Sequence, residues 1–147
     1  MMIDHIGIEV SDYEKSKDFY TKILGFKIIA ESYRPEKKSF KLDLAINDIY
    51  QIELFSFPDF KERQSFPEAK GLRHLAFAVD NLDEAVNELI SKNVILEEIR
   101  TDEITNKRFC FFYDPNGQPL ELYEIYKLEV ATKNKNGKKR KAGIQTQ

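Results

Sequence analysis

The sequence predicts an α+β fold made of two copies of one βαβββ module, and three observations carry that expectation. The chain has only two histidines, His5 and His74, and each precedes a run in which apolar residues alternate at a period of two. Ile6, Ile8 and Val10 follow the first, and Leu75, Phe77 and Val79 follow the second. The same order of helix and strand signals then comes after each run. Finally, at an offset of 69 residues His5-Ile6-Gly7-Ile8 overlays His74-Leu75-Ala76-Phe77, and at 68 Ile52-Glu53-Leu54-Phe55 overlays Leu120-Glu121-Leu122-Tyr123. A period this long marks a duplicated module. Each copy should form a curved mixed sheet with one helix on its convex face, the two sheets surrounding a cleft.

The elements follow in order. A strand over Ile3–Val10 gives way to Ser11, an N-cap residue with Glu14 three positions on, as in a capping box. A helix is expected over Asp12–Leu24, where Tyr13, Phe19, Tyr20, Ile23 and Leu24 fall near helical spacing and Gly25 suits a left-handed C-terminal cap. Strands are expected over Phe26–Tyr33, Ser39–Ile46 and Tyr50–Phe57, separated by turns at Pro35-Glu36-Lys37-Lys38 and Asn47-Asp48. A polar linker with two prolines covers 58–71. The second copy reads as a strand Leu72–Val79, a helix Leu82–Lys92 opened by Asp80-Asn81 and closed by Asn93, and strands near Ile95–Ile99, Lys107–Tyr113 and Pro119–Ile125. Asp114-Pro115-Asn116-Gly117 is a strong turn. One domain over residues 1–127, built of modules 3–57 and 72–126, and a basic, flexible tail over 128–147 are the expected organisation.

At 147 residues, 41% hydrophobic and 33% charged, the chain has the balance of a soluble globular protein. No apolar run reaches the ~20 residues that span a bilayer, and no signal-peptide pattern opens the chain. The single cysteine, Cys110, allows no internal disulfide and fits a cytoplasmic location; it sits in an apolar strand and is expected to be inert. Residues 132–147 hold six cations and no acid, so the net charge of −2 becomes −8 once they are set aside. An acidic body argues against general nucleic-acid binding by the folded part.

Each copy has one His near its start and one Glu inside its last strand. Glu53 lies between Ile52 and Leu54, and Glu121 between Leu120 and Leu122. A carboxylate on a largely apolar strand is costly to bury unless a proton, a cation or a metal pairs with it. Two imidazoles and two carboxylates, His5, Glu53, His74 and Glu121, converging on one cleft would suit a divalent ion of hard to borderline character.

These motifs resemble the vicinal oxygen chelate superfamily, and within it the glyoxalase I-like (lactoylglutathione lyase-like) proteins. The resemblance spans 3–126 and rests on Asp4-His5-Ile6-Gly7-Ile8, Phe19-Tyr20 through Leu24-Gly25-Phe26, Gly71-Leu72-Arg73-His74, and Asp114 through Leu122. It implies the glyoxalase/bleomycin-resistance/dioxygenase fold, with His5, Glu53, His74 and Glu121 as metal ligands. The implied metal is nickel or cobalt, with zinc, manganese or iron as the other choices. The implied reaction isomerises the thiohemiacetal of a 2-oxoaldehyde, such as methylglyoxal, and a small thiol. A proton passes through an enediolate stabilised by the metal, carried by Glu121 or, given the symmetry, by Glu53. The resemblance also implies a homodimer in which His5 and Glu53 of one chain meet His74 and Glu121 of the other. The linker is long enough for that exchange or for pairing within one chain.

Members that use glutathione usually place Arg four residues after the first His and Asn four after the first Glu. Here those positions hold Glu9 and Phe57, so unmodified glutathione is expected to be a poor thiol. Arg73, Lys107 and Arg108 are candidates to bind a different anionic group, and Phe55, Phe57, Tyr123 and Tyr33 are candidates to line the pocket. Two rival readings remain. One is another metalloenzyme on the same scaffold, such as a thiol transferase, epimerase or dioxygenase. The other is a non-catalytic small-molecule-binding protein like the bleomycin-resistance relatives, which generally lack the metal ligands.

Overall fold

The computed structural model describes residues 1–125; the basic segment 128–147 and its expected flexibility lie outside the described residues. The first copy comprises β1 (Ile6–Glu9), α1 (Tyr13–Asp18), β2 (Lys27–Arg34), β3 (Ser39–Ile46) and β4 (Ile49–Phe55). The second comprises β5 (Leu75–Val79), α2 (Leu82–Ser91), β6 (Arg100–Thr101), β7 (Arg108–Tyr113) and β8 (Pro119–Glu124). Each copy makes one four-stranded sheet, in the orders β1-β4-β3-β2 and β5-β8-β7-β6. The first strand of each pairs parallel with the last, and the other pairings are antiparallel. The register repeats as well: Gly7 and Asp43 flank Glu53, and Ala76 and Phe111 flank Glu121. The two mixed sheets are those of the glyoxalase/bleomycin-resistance fold expected from the sequence.

Alternation along the strands builds the core. Leu42, Leu44, Ile52 and Leu54 from the first sheet, and Cys110, Phe112, Leu120 and Leu122 from the second, are buried in one continuous cluster with Val10, Tyr20 and Leu82. Phe26 meets Phe77 at 5.6 Å between ring centres, and the fully buried Tyr20 donates to Asp114 Oδ2 at 2.9 Å across the two copies. Burial first, and the Asp114 charge second, push the Tyr20 hydroxyl far above its ordinary pKa. Among the described residues, no helix is long and apolar enough to cross a membrane.

Several local expectations are corrected. The N-cap of α1 is Asp12, whose side chain accepts from Lys15 N at 3.1 Å. Ser11 is drawn away because its N–H and hydroxyl both donate to Asn116 Oδ1 of the other copy, at 2.8 and 2.9 Å. The α-helix expected to Leu24 stops at Asp18 and widens into one π-helical turn over Phe19–Ile23, closed by Leu24 N donating to Phe19 O. That widening lets the adjacent Phe19 and Tyr20 both bury, before Gly25 at φ 75° ends the turn. The strand expected from Leu72 starts at Leu75, because the carbonyls of Leu72 and Arg73 accept from Arg63 of the linker instead of a strand. Ile95–Ile99 forms only a bridge between Leu96 and Phe112, with Ile95 turned out to solvent.

Candidate metal and substrate site

His5 and His74 stand just ahead of β1 and β5, and their Nε2 atoms lie 3.3 and 3.2 Å from Glu53 Oε2 and Glu121 Oε2. Parallel pairing of each first strand with its last strand makes this inevitable, since it sets Gly7 beside Glu53 and Ala76 beside Glu121. Both glutamates are buried and both histidines about one-third exposed, so each pair sits at the floor of an open face. Within one chain the two pairs remain apart: among the described residues, no group of three or more His, Cys, Asp or Glu side chains could hold a metal ion.

Each pair nevertheless fits half of such a site. Metal–ligand bonds of ~2.1 Å place adjacent ligand atoms ~3.0–3.4 Å apart, for octahedral and tetrahedral geometry respectively, and the observed nitrogen–oxygen separations fall in that range. His74 Nδ1 is also buried without a hydrogen-bond partner among the described residues. Two nitrogens and two carboxylates suit a borderline divalent cation.

The two carboxylates differ electrically. Burial would raise Glu53, but hydrogen bonds from Lys41, whose Nζ is 2.6 Å from Oε1, and from Tyr50 outweigh it and hold Glu53 below its ordinary value. Lys41 also reaches Asp43 Oδ1 at 2.7 Å, and those two acids hold its ammonium charged. Among the described residues, Glu121 has no such cation in contact. Burial raises it, opposed by the fields of His74 and Arg100. The corresponding positions on β7 are Phe109 and Phe111, and Phe111 meets the His74 ring edge-on at 5.3 Å. One half therefore holds its carboxylate ionised, while the other gives its carboxylate a higher proton affinity.

The remaining sequence candidates are spread more widely. Arg73 is exposed, pairs with Glu68 at 3.1 Å, and lines a cavity of about 270 Å³ with His74, Arg63, Phe66, Arg100 and Phe111. Lys107 Nζ lies over Tyr123 at 5.5 Å, and the Tyr123 hydroxyl meets Thr105 Oγ1 at 2.8 Å. Arg108 is engaged by Glu124 and Asp83, at 2.8 and 2.9 Å. Phe55 and Phe57 stack at 6.2 Å between ring centres, under Arg34. Tyr33 packs on Phe40. Cys110 is buried, its Sγ donates to Glu97 O, and burial raises its pKa.

A profile of the Glyoxalase/Bleomycin resistance protein/Dioxygenase superfamily matches residues 2–122. The chain belongs to this superfamily. It is 62% identical to the uncharacterized protein YwkD of Bacillus subtilis, over 83% of this chain and 95% of that one. It is 32% identical to the lactoylglutathione lyase of Escherichia coli, over 84% and 93%. Identity is also 32% to the metallothiol transferase FosB of Staphylococcus saprophyticus, over 82% and 75%. Among solved structures, a glyoxalase family protein from Enterococcus faecalis superposes with a TM-score of 0.79 at 44% identity, covering 84% of this chain and 97% of that one.

Sequence reasoning passed over Lys41, Tyr50, Arg34 and Arg100. Lys41 and Asp43 share one face of β3 by parity, a visible signal, but only the β3–β4 register aims them at Glu53.

Proposed function

We propose that this protein is a metal-dependent lyase of the glyoxalase I type, isomerising the thiohemiacetal of a 2-oxoaldehyde and a small thiol. The duplicated His–Glu pair carries the reading: His5 with Glu53 and His74 with Glu121, at matching positions of two equivalent sheets. In this reading the site would be assembled in a homodimer, the first copy of each chain facing the second copy of its partner; the separation of the two pairs among the described residues supports it.

His5, Glu53, His74 and Glu121 would hold the ion, nickel or cobalt in preference to zinc. A bound divalent ion would supply an electrophile that polarises the substrate's adjacent oxygens. Glu53, kept ionised by Lys41 and Tyr50, would serve as a ligand and not as the base. Glu121, whose burial favours the proton, would take the substrate C–H proton and return it to the neighbouring carbon. One C–H bond breaks and another forms, so the product is an isomer and no redox partner is consumed. Phe109 and Phe111 beside Glu121 help keep water from the transferred proton.

The 32% identity to a metallothiol transferase keeps transfer of a thiol to an electrophilic small molecule as the second reading. Elemental analysis of protein purified without added metal, followed by product analysis with methylglyoxal plus thiol and with an epoxide plus thiol, separates the two. The lyase reading expects bound metal and a thioester, formed fastest with nickel or cobalt, and at least ~100-fold slower formation in Glu121→Gln. Addition product without thioester refutes it.

A further inference from the structure

The open face that carries Glu53 holds a second cation whose charge nothing in the described structure answers. Arg34 ends β2 opposite Ser39, and its guanidinium carbon lies 5.0 Å from the Phe55 ring centre and 5.4 Å from that of Phe57. The two rings are nearly parallel, 19° apart, and form a shelf under the planar group. Nη2 donates to the buried Ser39 Oγ at 2.7 Å, while Nε is buried without a partner. No carboxylate among the described residues pairs with Arg34. Its neighbour on this face, Lys41, is already committed to Asp43 and Glu53.

The second copy solves the same problem differently. Arg100 lies over Phe109 and Phe111 at 5.1 and 5.3 Å, but its Nη2 donates to Glu97 Oε2 at 2.9 Å. Among the described residues, one stacked arginine thus has an anion of its own and the other has none. A guanidinium on an aromatic shelf is weakly hydrated, is held in one plane, and presents its remaining N–H groups as a fork for a carboxylate or phosphoryl group.

We propose that Arg34 is the anion-recognition residue of the cleft. It binds an oxyanion, carboxylate or phosphoryl, carried by the substrate itself. Phe55 shares a face with Glu53 two residues along β4, so the aromatic shelf begins ~7 Å along the strand from Glu53. A substrate would span that distance with about five or six bonds between its reacting carbons and its charged end. This rests on the lyase reading for the place of the reacting carbons; the anion site itself does not.

Binding of three hydroxamates, with six-carbon chains ending in methyl, carboxylate or phosphonate, to the nickel-loaded full chain by calorimetry tests the proposal. The carboxylate or the phosphonate probe should bind wild type at least tenfold tighter than the methyl probe, and the stronger of the two names the oxyanion. That advantage should fall below threefold in Arg34→Met and be intermediate in Arg34→Lys, with methyl-probe affinity unchanged. Equal affinities in wild type, or an advantage that survives Arg34→Met, overturn it; should Arg34→Met not fold, Arg34→Lys carries the comparison. If no probe binds the loaded protein, the metal-centre reading fails. The metal-free chain then decides: acetate or inorganic phosphate should shift the Arg34 Nε–Hε NMR signal, identified by its loss in Arg34→Lys. An unmoved signal rejects the anion site.

Discussion

Mixing two inactive variants, His5→Ala and His74→Ala, asks where the active site is built. Each substitution removes one nitrogen donor from a different half, and although the halves of one chain share a core, their two His–Glu pairs do not come together into one cluster among the described residues. In a two-fold dimer with exchanged halves, a mixed dimer carries both lesions in one cleft and neither in the other. Random re-pairing of equal amounts makes about half of all dimers mixed, and one site in two is intact in those, so about a quarter of wild-type activity should return. Bound metal should return in the same proportion, which gives a readout independent of turnover. His5→Ala mixed with Glu53→Ala is the control and should recover nothing, because both lesions fall in the same half. Subunit exchange is verified by mass spectrometry of differently tagged chains. Full exchange without recovery of activity or metal would refute the shared site.

Two further predictions concern single residues. Glu9 lies on β1 opposite Phe55, at the position where the glutathione-using proteins that the sequence resembles usually carry Arg. Glu9→Arg should raise kcat/KM with glutathione by about tenfold, as expected for reversing one partly screened charge; an unchanged or lower value counts against the reasoning. Arg108 holds Glu124 down at about 2. A carboxylate lowered in the folded state stabilises the fold above its unfolded pKa and loses that contribution as pH falls through its folded value. Wild type should therefore resist urea better than Arg108→Gln at pH 6–7, with the gap closing between about pH 4.5 and pH 2. A gap constant across that range would show that Arg108 acts through packing alone.

The sequence by itself determined the module, its duplication and the His–Glu pairs, because these are local or periodic. Alternation in Ile52-Glu53-Leu54 states which side chain faces away from the core, and an offset of 68–69 residues states which positions correspond. Gly25 and the turn at Asp114–Gly117 are equally local, needing only a left-handed backbone or an Asx-type turn, and they stand as read. What only the tertiary structure decided depends on neighbours distant in the chain. Ser11 loses its capping role to Asn116, 105 residues away. Leu72 and Arg73 leave the strand for Arg63. Arg108, a candidate anion binder from its charge, is engaged by Glu124 and Asp83, whereas Arg34 sits on its aromatic shelf with no acid among the described residues. Charge is written in the sequence, but whether a charge is already answered depends on strand register and on how the halves pack.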